Sequence, residues 1–290
     1  MMPITLRIGG CLLQLHGVSV EEIPENTRLF ICDCTEEPEF TYTFHFVDQL
    51  PSPSSTWQTA YQRYNIHVWR QDDLERRLLS VNSPADAYCV YEEKSNDGAD
   101  IWFLSPLRGE LTIDTMFISC LSLERRMTAH NAYILHCAYL NFQGRAILFS
   151  GPSGIGKSTH AELWTRHVEG CRVMNGDRCL IRREADGSYS ANGWPVCGSS
   201  GICHDVSLPL SAIVFIEQTP ENQIIPEGMM QLYRRLFAQF TINHWDTEAT
   251  VAGMDWIQAL MEKVKVYVYG CNMAPDAPMA LKNVLSPSQT

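Results

Sequence analysis

The sequence predicts an α/β protein of α+β character, with a β-rich N-terminal region over residues 1–112 and a mixed-sheet domain over 113–290. Three observations predict it. Short runs that alternate apolar and polar residues fill the first region. Strand-like and helix-like periodicities then take turns through the second, and at 145–159 (RAILFSGPSGIGKST) an apolar run breaks into a glycine-rich turn that reopens as a helix.

In the first region, ITLRI, CLLQLHGVSV, RLFICDC and FTYTFHF, between Ile4 and Phe46, carry the period of two expected of half-buried antiparallel strands. The proline-serine stretch LPSPSS at 50–55 interrupts them, YNIHVW, AYCVYEE and ADIWFLS resume the pattern, and a helical stretch is expected around 74–79. His16, His45 and His67 stand alone and read as ordinary structural histidines. Behind the start signal Asp114, the residues Met116, Phe117, Cys120, Leu121, Leu123, Glu124 and Met127 share one face at helical spacing, so 114–131 reads as a helix at the entry to the second region.

There, 132–140 (AYILHCAYL), 141–144 (NFQG) and 145–150 read as strand, tight turn and strand. Counting across this hairpin from a turn centred between Phe142 and Gln143 puts His136 opposite Phe149, beside the glycine-rich turn. His136 is thereby a site candidate, the alternative being a core histidine bonded to backbone.

The turn itself matches the phosphate-binding pattern of glycine, four residues and Gly-Lys-Ser, in the strand–loop–helix context that gives the pattern meaning. Glycines let the chain curl until successive N–H groups point at one anion, and the helix start adds the positive end of its dipole. Gly151, Pro152, Ser153, Gly154, Ile155, Gly156, Lys157, Ser158 and Thr159 are the candidate ATP-binding residues. Lys157 is expected to reach the β- and γ-phosphates, and Ser158 to ligate Mg²⁺. A helix over 159–168 and the strand CRVMN at 171–175 follow. A right-handed crossover between them would bring the next acid, Asp177, beside the metal and the γ-phosphate.

Downstream, 179–183 and 189–191 read as a hairpin around the turn ADGS. The connection 193–205 (GWPVCGSSGICHD) has no periodicity and is long for a plain connector, so it is expected to contact a substrate. Its Cys197, Cys203, His204 and Asp205 crowd one loop too closely for a tetrahedral zinc site. A strand at 211–217, helices at 227–242 and 247–264, a strand at 266–269 and a last helix at 276–285 complete the chain. Arg234 and Arg235 read as a solvated helix face rather than as phosphate ligands.

Composition narrows the function classes. A net charge of −11 without a Lys/Arg cluster argues against nucleic acid as the main partner, and no apolar run approaches a membrane span of about 20 residues. The start, MMPITLRIGGCLLQLHG, lacks a charged leader followed by an adequate apolar core, so a cytoplasmic protein is expected. The eleven cysteines have no paired C-x-x-C spacing; Cys32 and Cys34 are close but have no second pair, and reduced thiols are expected throughout.

The order of a histidine strand carrying His136, the turn, GPSGIGKST, a short helix and GCRVMNGDR backed by a hairpin resembles the catalytic domain of HPr kinase/phosphorylase, a family itself similar to phosphoenolpyruvate carboxykinase. The resemblance runs over about 132–285 and is strongest to shorter kinase-like members found beside peptide-modification genes. It implies that residues 151–159 hold ATP and Mg²⁺, that His136 matches the histidine near the catalytic acid, and that Asp177 matches one of an adjacent Asp pair. Gly176 stands where the family carries the other Asp, Thr159 and His160 stand where an acid tends to follow Lys-Ser, and the phosphorylase signature is missing. The implied activity is phosphoryl transfer from Mg-ATP to a hydroxyl of a peptide, protein or small molecule, with Lys157, Asp177 and His136 as catalytic residues, Ser158 and Asp177 as metal ligands, and no reverse reaction. A nucleotide-binding regulatory or assembly module is the alternative, a carboxykinase is weaker, and a homo-oligomer is compatible with the sequence.

Overall fold

Eight strands form before residue 105, several of them with apolar residues at every second position: β1 (Ile4–Ile8), β2 (Cys11–His16), β3 (Phe40–Val47), β4 (Gln58–Arg63), β5 (Ile66–Gln71), β6 (Leu74–Ser80), β7 (Ala87–Ser95) and β8 (Gly98–Leu104). The computed structural model describes residues 2–272 and 274–285 and divides the chain into two units, Met1–Arg126 and Met127–Thr290. In the first, the strands form one sheet in the order β1-β2-β3-β8-β7-β6-β5-β4. Its core holds Leu6, Leu13, Tyr42, Ile101 and Phe103. A short helix, α1 (Glu25–Arg28), lies in the 17–39 connection, and α2 (Asp114–Leu121) follows the last strand.

Five expectations change here. The early strands are not all antiparallel: β2 pairs parallel with β3 after the long 17–39 connection carries the chain back, and β3 pairs parallel with β8 after the four intervening strands β4 to β7. RLFICDC is not a strand, since α1 ends at Arg28 and Ile31 makes only a single bridge to Leu6. The 74–79 stretch is strand β6 rather than helix, and its charges are inside. Arg77 pairs with Glu75 and Glu124, while Glu93 accepts from the Glu75 amide at 2.8 Å, the Tyr91 hydroxyl at 2.8 Å and Arg125 at 2.8 Å. Charges that satisfy one another across strands imitate a solvated helix face in the sequence. The 114–131 helix is also interrupted, because Ser122 takes a left-handed φ of 49° that separates α2 from α3 (Leu123–Ala129). The division between units lies after Arg126 rather than at 112/113, and α2 belongs with the first: Phe117 stacks on Phe44 with centroids 5.9 Å apart.

The second unit is built on β9 (Ala132–Phe142), β10 (Arg145–Ser150), β11 (Cys171–Asn175), β12 (Arg178–Arg183), β13 (Tyr189–Asn192), β14 (Ser207–Gln218), β15 (Gln223–Ile225) and β16 (Lys265–Cys271), with helices α4 (Lys157–His167), α5 (Met229–Gln239), α6 (Thr247–Lys263) and α7 (Ala277–Leu285). Pairing runs from β10 through β9, β12 and β13 to β14, which pairs back onto β10 in parallel and so closes a circuit. Gln143 and Gly144, with φ of 53° and 78°, form the two-residue turn between β9 and β10 that matches strand twist. Successive β10 side chains enter two cores: Ala146 and Leu148 join Trp256, Ile257 and Leu260 of α6, and Ile147 and Phe149 join Ala161 and Trp164 of α4. A strand buried on both faces explains the unbroken apolar run AILF.

His160 lies fully buried in the second of these cores, accepting the Trp164 indole N–H at its Nε2 (3.1 Å) and packing edge-on to Phe149. Burial pushes its pKa down to about 4 from an ordinary 6.5. Between those values the folded ring stays neutral while the unfolded ring binds a proton, so stability is present above about pH 6.5 and is lost as pH falls toward 4. Urea unfolding at pH 7 and pH 5 is expected to show a loss of about 2 kcal/mol from this group. That part of the slope is expected to vanish in His160→Gln.

Candidate functional site

The predicted phosphate loop begins where β10 ends. Gly151, Gly154 and Gly156 take φ of 140°, 79° and 109°, a region that side chains disfavour, and this accounts for three glycines in six residues. The loop is held at several points: Gln218, at the end of β14, donates to the Ile155 carbonyl (3.1 Å), and the Lys157 ammonium donates to the carbonyls of Gly151 (2.9 Å) and Pro152 (3.0 Å). Lys157 is only 6% exposed, not solvent-facing, and two of its three N–H donors go to the loop. Burial holds the ammonium below its ordinary pKa, opposed by Cys137 and Asp177. No side chain caps the start of α4, which leaves its first-turn N–H groups directed at the cleft.

His136 comes to the same place by a register different from the one counted. Phe149 pairs with Ala138 and Ser150 with Cys137, because the turn is centred between Gln143 and Gly144. His136 therefore lies one step past the end of β10, and its carbonyl accepts from the Ser150 hydroxyl at 2.8 Å. The shift of two residues preserves the face on which the ring stands. On its other edge His136 pairs with Arg178, which carries β9 to the turn containing Asp177.

That turn is set by Asn175. The Asn175 side chain is fully buried; its Oδ1 accepts from the amides of Asp177 (2.9 Å) and Arg178 (3.0 Å), and its Nδ2 donates to the carbonyls of Trp194 (2.8 Å) and Val196 (3.1 Å). Asp177 then presents Oδ1 to His136 Nε2 at 3.6 Å and accepts from Arg178 Nε at 3.1 Å through Oδ2. His136 Nδ1 lies 3.2 Å from Gln239 Oε1. Burial, then Lys157, lowers the His136 pKa, and Asp177 raises it in part, so the ring is neutral at neutral pH.

His136, Ser153, Gly154, Gly156, Lys157, Ser158, Thr159, Gly176, Asp177, Cys197, Ser199 and Ser200 line one cleft of about 280 Å³. Its size suits a phosphate chain rather than a whole nucleotide. Gly151, Pro152 and Ile155 form the back of the loop. Ser158 and Asp177 bring a hydroxyl and a carboxylate to the cleft, hard oxygen donors of the kind Mg²⁺ takes, and Ser158 Oγ lies 3.4 Å from the Gly176 carbonyl. A larger hollow of about 450 Å³ between α5 and α6 is lined by Met229, Met230, Tyr233, Gln258, Met261 and Glu262 and contains none of these groups.

The model of the family described as SynChlorMet cassette protein ScmC matches residues 107–284, a span that includes every residue of the cleft. The chain belongs to the ScmC family. Among solved structures, the Hpr(Ser) kinase/phosphatase from Coxiella burnetii matches with 11% identity and a TM-score of 0.30, over 52% of this chain and 87% of that one, a similarity too low to define fold or activity. No curated protein matches the sequence.

Other candidates fall elsewhere. Among the described residues, Cys197, Cys203, His204 and Asp205 do not gather ligand atoms in one place; the Cys203 thiol faces the Trp194 carbonyl and His204 meets Arg172 at 3.2 Å. Arg235 is not a free solvated charge, being clamped by Glu217 (2.5 Å) and Glu227 (2.6 Å). No helix among the described residues is long and apolar enough to cross a membrane. Reasoning from sequence did not single out Asn175 or Gln239. The dipeptide Asn175-Gly176 at a strand end is a local turn signal that could have found the first. Gln239 meets His136 only through tertiary folding.

The electrostatics can be checked by histidine NMR titration. His136 is expected to titrate lower in Asp177→Asn, which removes a charge that raises its pKa, and higher in Lys157→Ala, which removes one that lowers it.

Proposed function

We propose that this ScmC-family chain transfers the γ-phosphoryl of Mg-ATP to a hydroxyl of a peptide, protein or small molecule. The observation that carries the reading is a single cleft in which a positive-φ glycine loop, an uncapped helix start, Lys157, Ser158 and Asp177 meet. The motif order shared with HPr kinase-like enzymes supports it.

In such chemistry the protein mainly positions groups and neutralises charge. The loop and α4 start would hold the phosphates, with Lys157 directing a donor at the oxygens that gain charge. Ser158 and Asp177 would hold Mg²⁺, which supplies charge neutralisation across the β- and γ-phosphates when bound. Asp177 would serve either as that metal ligand or as the general base, its Oδ1 then taking the acceptor's hydroxyl proton. With Gln239 Oε1 as its acceptor, the neutral His136 ring carries its own proton on Nδ1 and turns the Nε2 lone pair toward Asp177, where it can share the proton that Asp177 receives. His136 thereby orients the base rather than replacing it.

One observation favours a second reading: Gly176 leaves a single carboxylate in the turn, which suits a module that binds nucleotide without transferring phosphate. Acceptor dependence of ADP formation separates the two. For the kinase, Asp177→Asn is expected to lower transfer by about 10²- to 10⁴-fold with a much smaller change in Mg-ATP affinity. Lys157→Ala is expected to weaken Mg-ATP binding in calorimetry and abolish transfer, His136→Ala to be milder than Asp177→Asn, and the His136/Asp177 double variant to add little. Near-normal transfer by Asp177→Asn would move the catalytic carboxylate elsewhere.

A further inference from the structure

Asn175 makes all four hydrogen bonds its amide can make, two to the turn that presents Asp177 and two to the start of the 193–205 segment. A second contact fixes the same segment. A Cβ at Gly176 would lie 2.3 Å from Ser200 Oγ and 2.4 Å from Ser200 Cβ, so only glycine lets Ser200 come this close. Ser200 is itself held, donating to the Cys197 carbonyl at 2.6 Å and accepting from the Ile202 amide at 3.2 Å. Gly198, with φ of 57°, lies so near that a Cβ there would be 3.1 Å from Asp177 Cβ and Cγ. The segment thus rests on both Gly176 and Asp177, and its Ser199 and Ser200 line the same cleft as the phosphate loop.

We infer that Asn175 is a positioning residue that locks the 193–205 segment to the Asp177 turn, and that residue 176 is glycine in order to seat Ser200. The acceptor wall and the carboxylate facing it then move as one body. The role in transfer rests on the kinase reading; the seating does not. Gly176, in these terms, is the docking point of a wall and not merely a lost acid.

Four full-length variants test this: Asn175→Asp, Gly176→Ala, Ser200→Gly and the Gly176→Ala/Ser200→Gly pair. Asn175→Asp keeps the acceptor for the Asp177 and Arg178 amides but sets a carboxylate against the Trp194 and Val196 carbonyls. Gly176→Ala pushes on Ser200 without touching Asn175. Hydrogen exchange is expected to rise about tenfold or more across 194–202 in both single variants, and the double variant is expected to return to the level of Ser200→Gly alone, because removing the side chain at 200 removes the clash. ADP formation from saturating Mg-ATP, with a Ser/Thr-containing peptide as hydroxyl acceptor, is expected to lose about tenfold or more in kcat in Asn175→Asp and Gly176→Ala while KM for Mg-ATP stays within about threefold, a split that general loss of fold would not give. Unchanged exchange at 194–202 in a folded Gly176→Ala protein, or no return of protection in the double variant, overturns the seating. Loss of kcat and Mg-ATP affinity together overturns the positioning role. Wild-type protein that neither binds Mg-ATP nor forms ADP overturns the nucleotide reading and Asn175's part in transfer with it, while exchange alone still upholds or refutes the seating.

Discussion

The geometry of the second unit depends on one strand being held from four directions. β10 is paired antiparallel to β9 on one edge and parallel to β14 on the other, with a separate hydrophobic core against each face. Glycine-rich backbone is costly to order because it has the most freedom to lose. It is affordable at the tip of β10 because the strand before it, the Gln218 side chain beside it and α4 after it are each fixed independently. The same strand determines where His136 arrives, through the hairpin register, and where Asp177 arrives, through the pairing of β9 with β12.

The cleft's charge is local and runs against that of the whole chain, which carries −11. Lys157, Arg178 and the start of α4 stand around a single carboxylate, Asp177, and the nearby histidine is kept neutral by burial and by Lys157. Long-range repulsion between an acidic protein and a polyanion is screened over roughly 10 Å at ordinary ionic strength, whereas contacts within a half-buried cleft are not.

The α/β class, the strand–loop–helix and the strands flanking it were legible because their signals are local: an apolar run, glycines at fixed spacing, an acid at a strand end. The alternation of β1, β3, β5, β7 and β8 was legible for the same reason, while β4, exposed and polar along QTAYQR, gave no hydrophobic period to see. β6 failed differently, because Glu75, Arg76 and Arg77 look solvated in sequence and are buried only by virtue of partners from β7 and 124–125. The parallel pairing of β2 with β3 and the contact of Gln239 with His136 depend on chain paths that residue pattern does not encode. His136 was placed beside the loop by a count that slipped two positions; the slip was harmless only because a period of two returns a side chain to the same face.

The tight approach of Ser200 to Gly176 also has a consequence for how sequences of this family can drift. Positions 176 and 200 are twenty-four residues apart but share one small volume, so a substitution at either changes which substitutions the other tolerates. A second acid at 176 is not one mutational step away, since the occupant of that space must first shrink or leave. Order of mutation matters along such a route: shortening residue 200 first removes the clash that enlarging 176 first would create. The present pairing of glycine with serine thus couples two distant positions through one shared volume, and a side chain at 176 calls for a smaller residue or a rebuilt turn at 200.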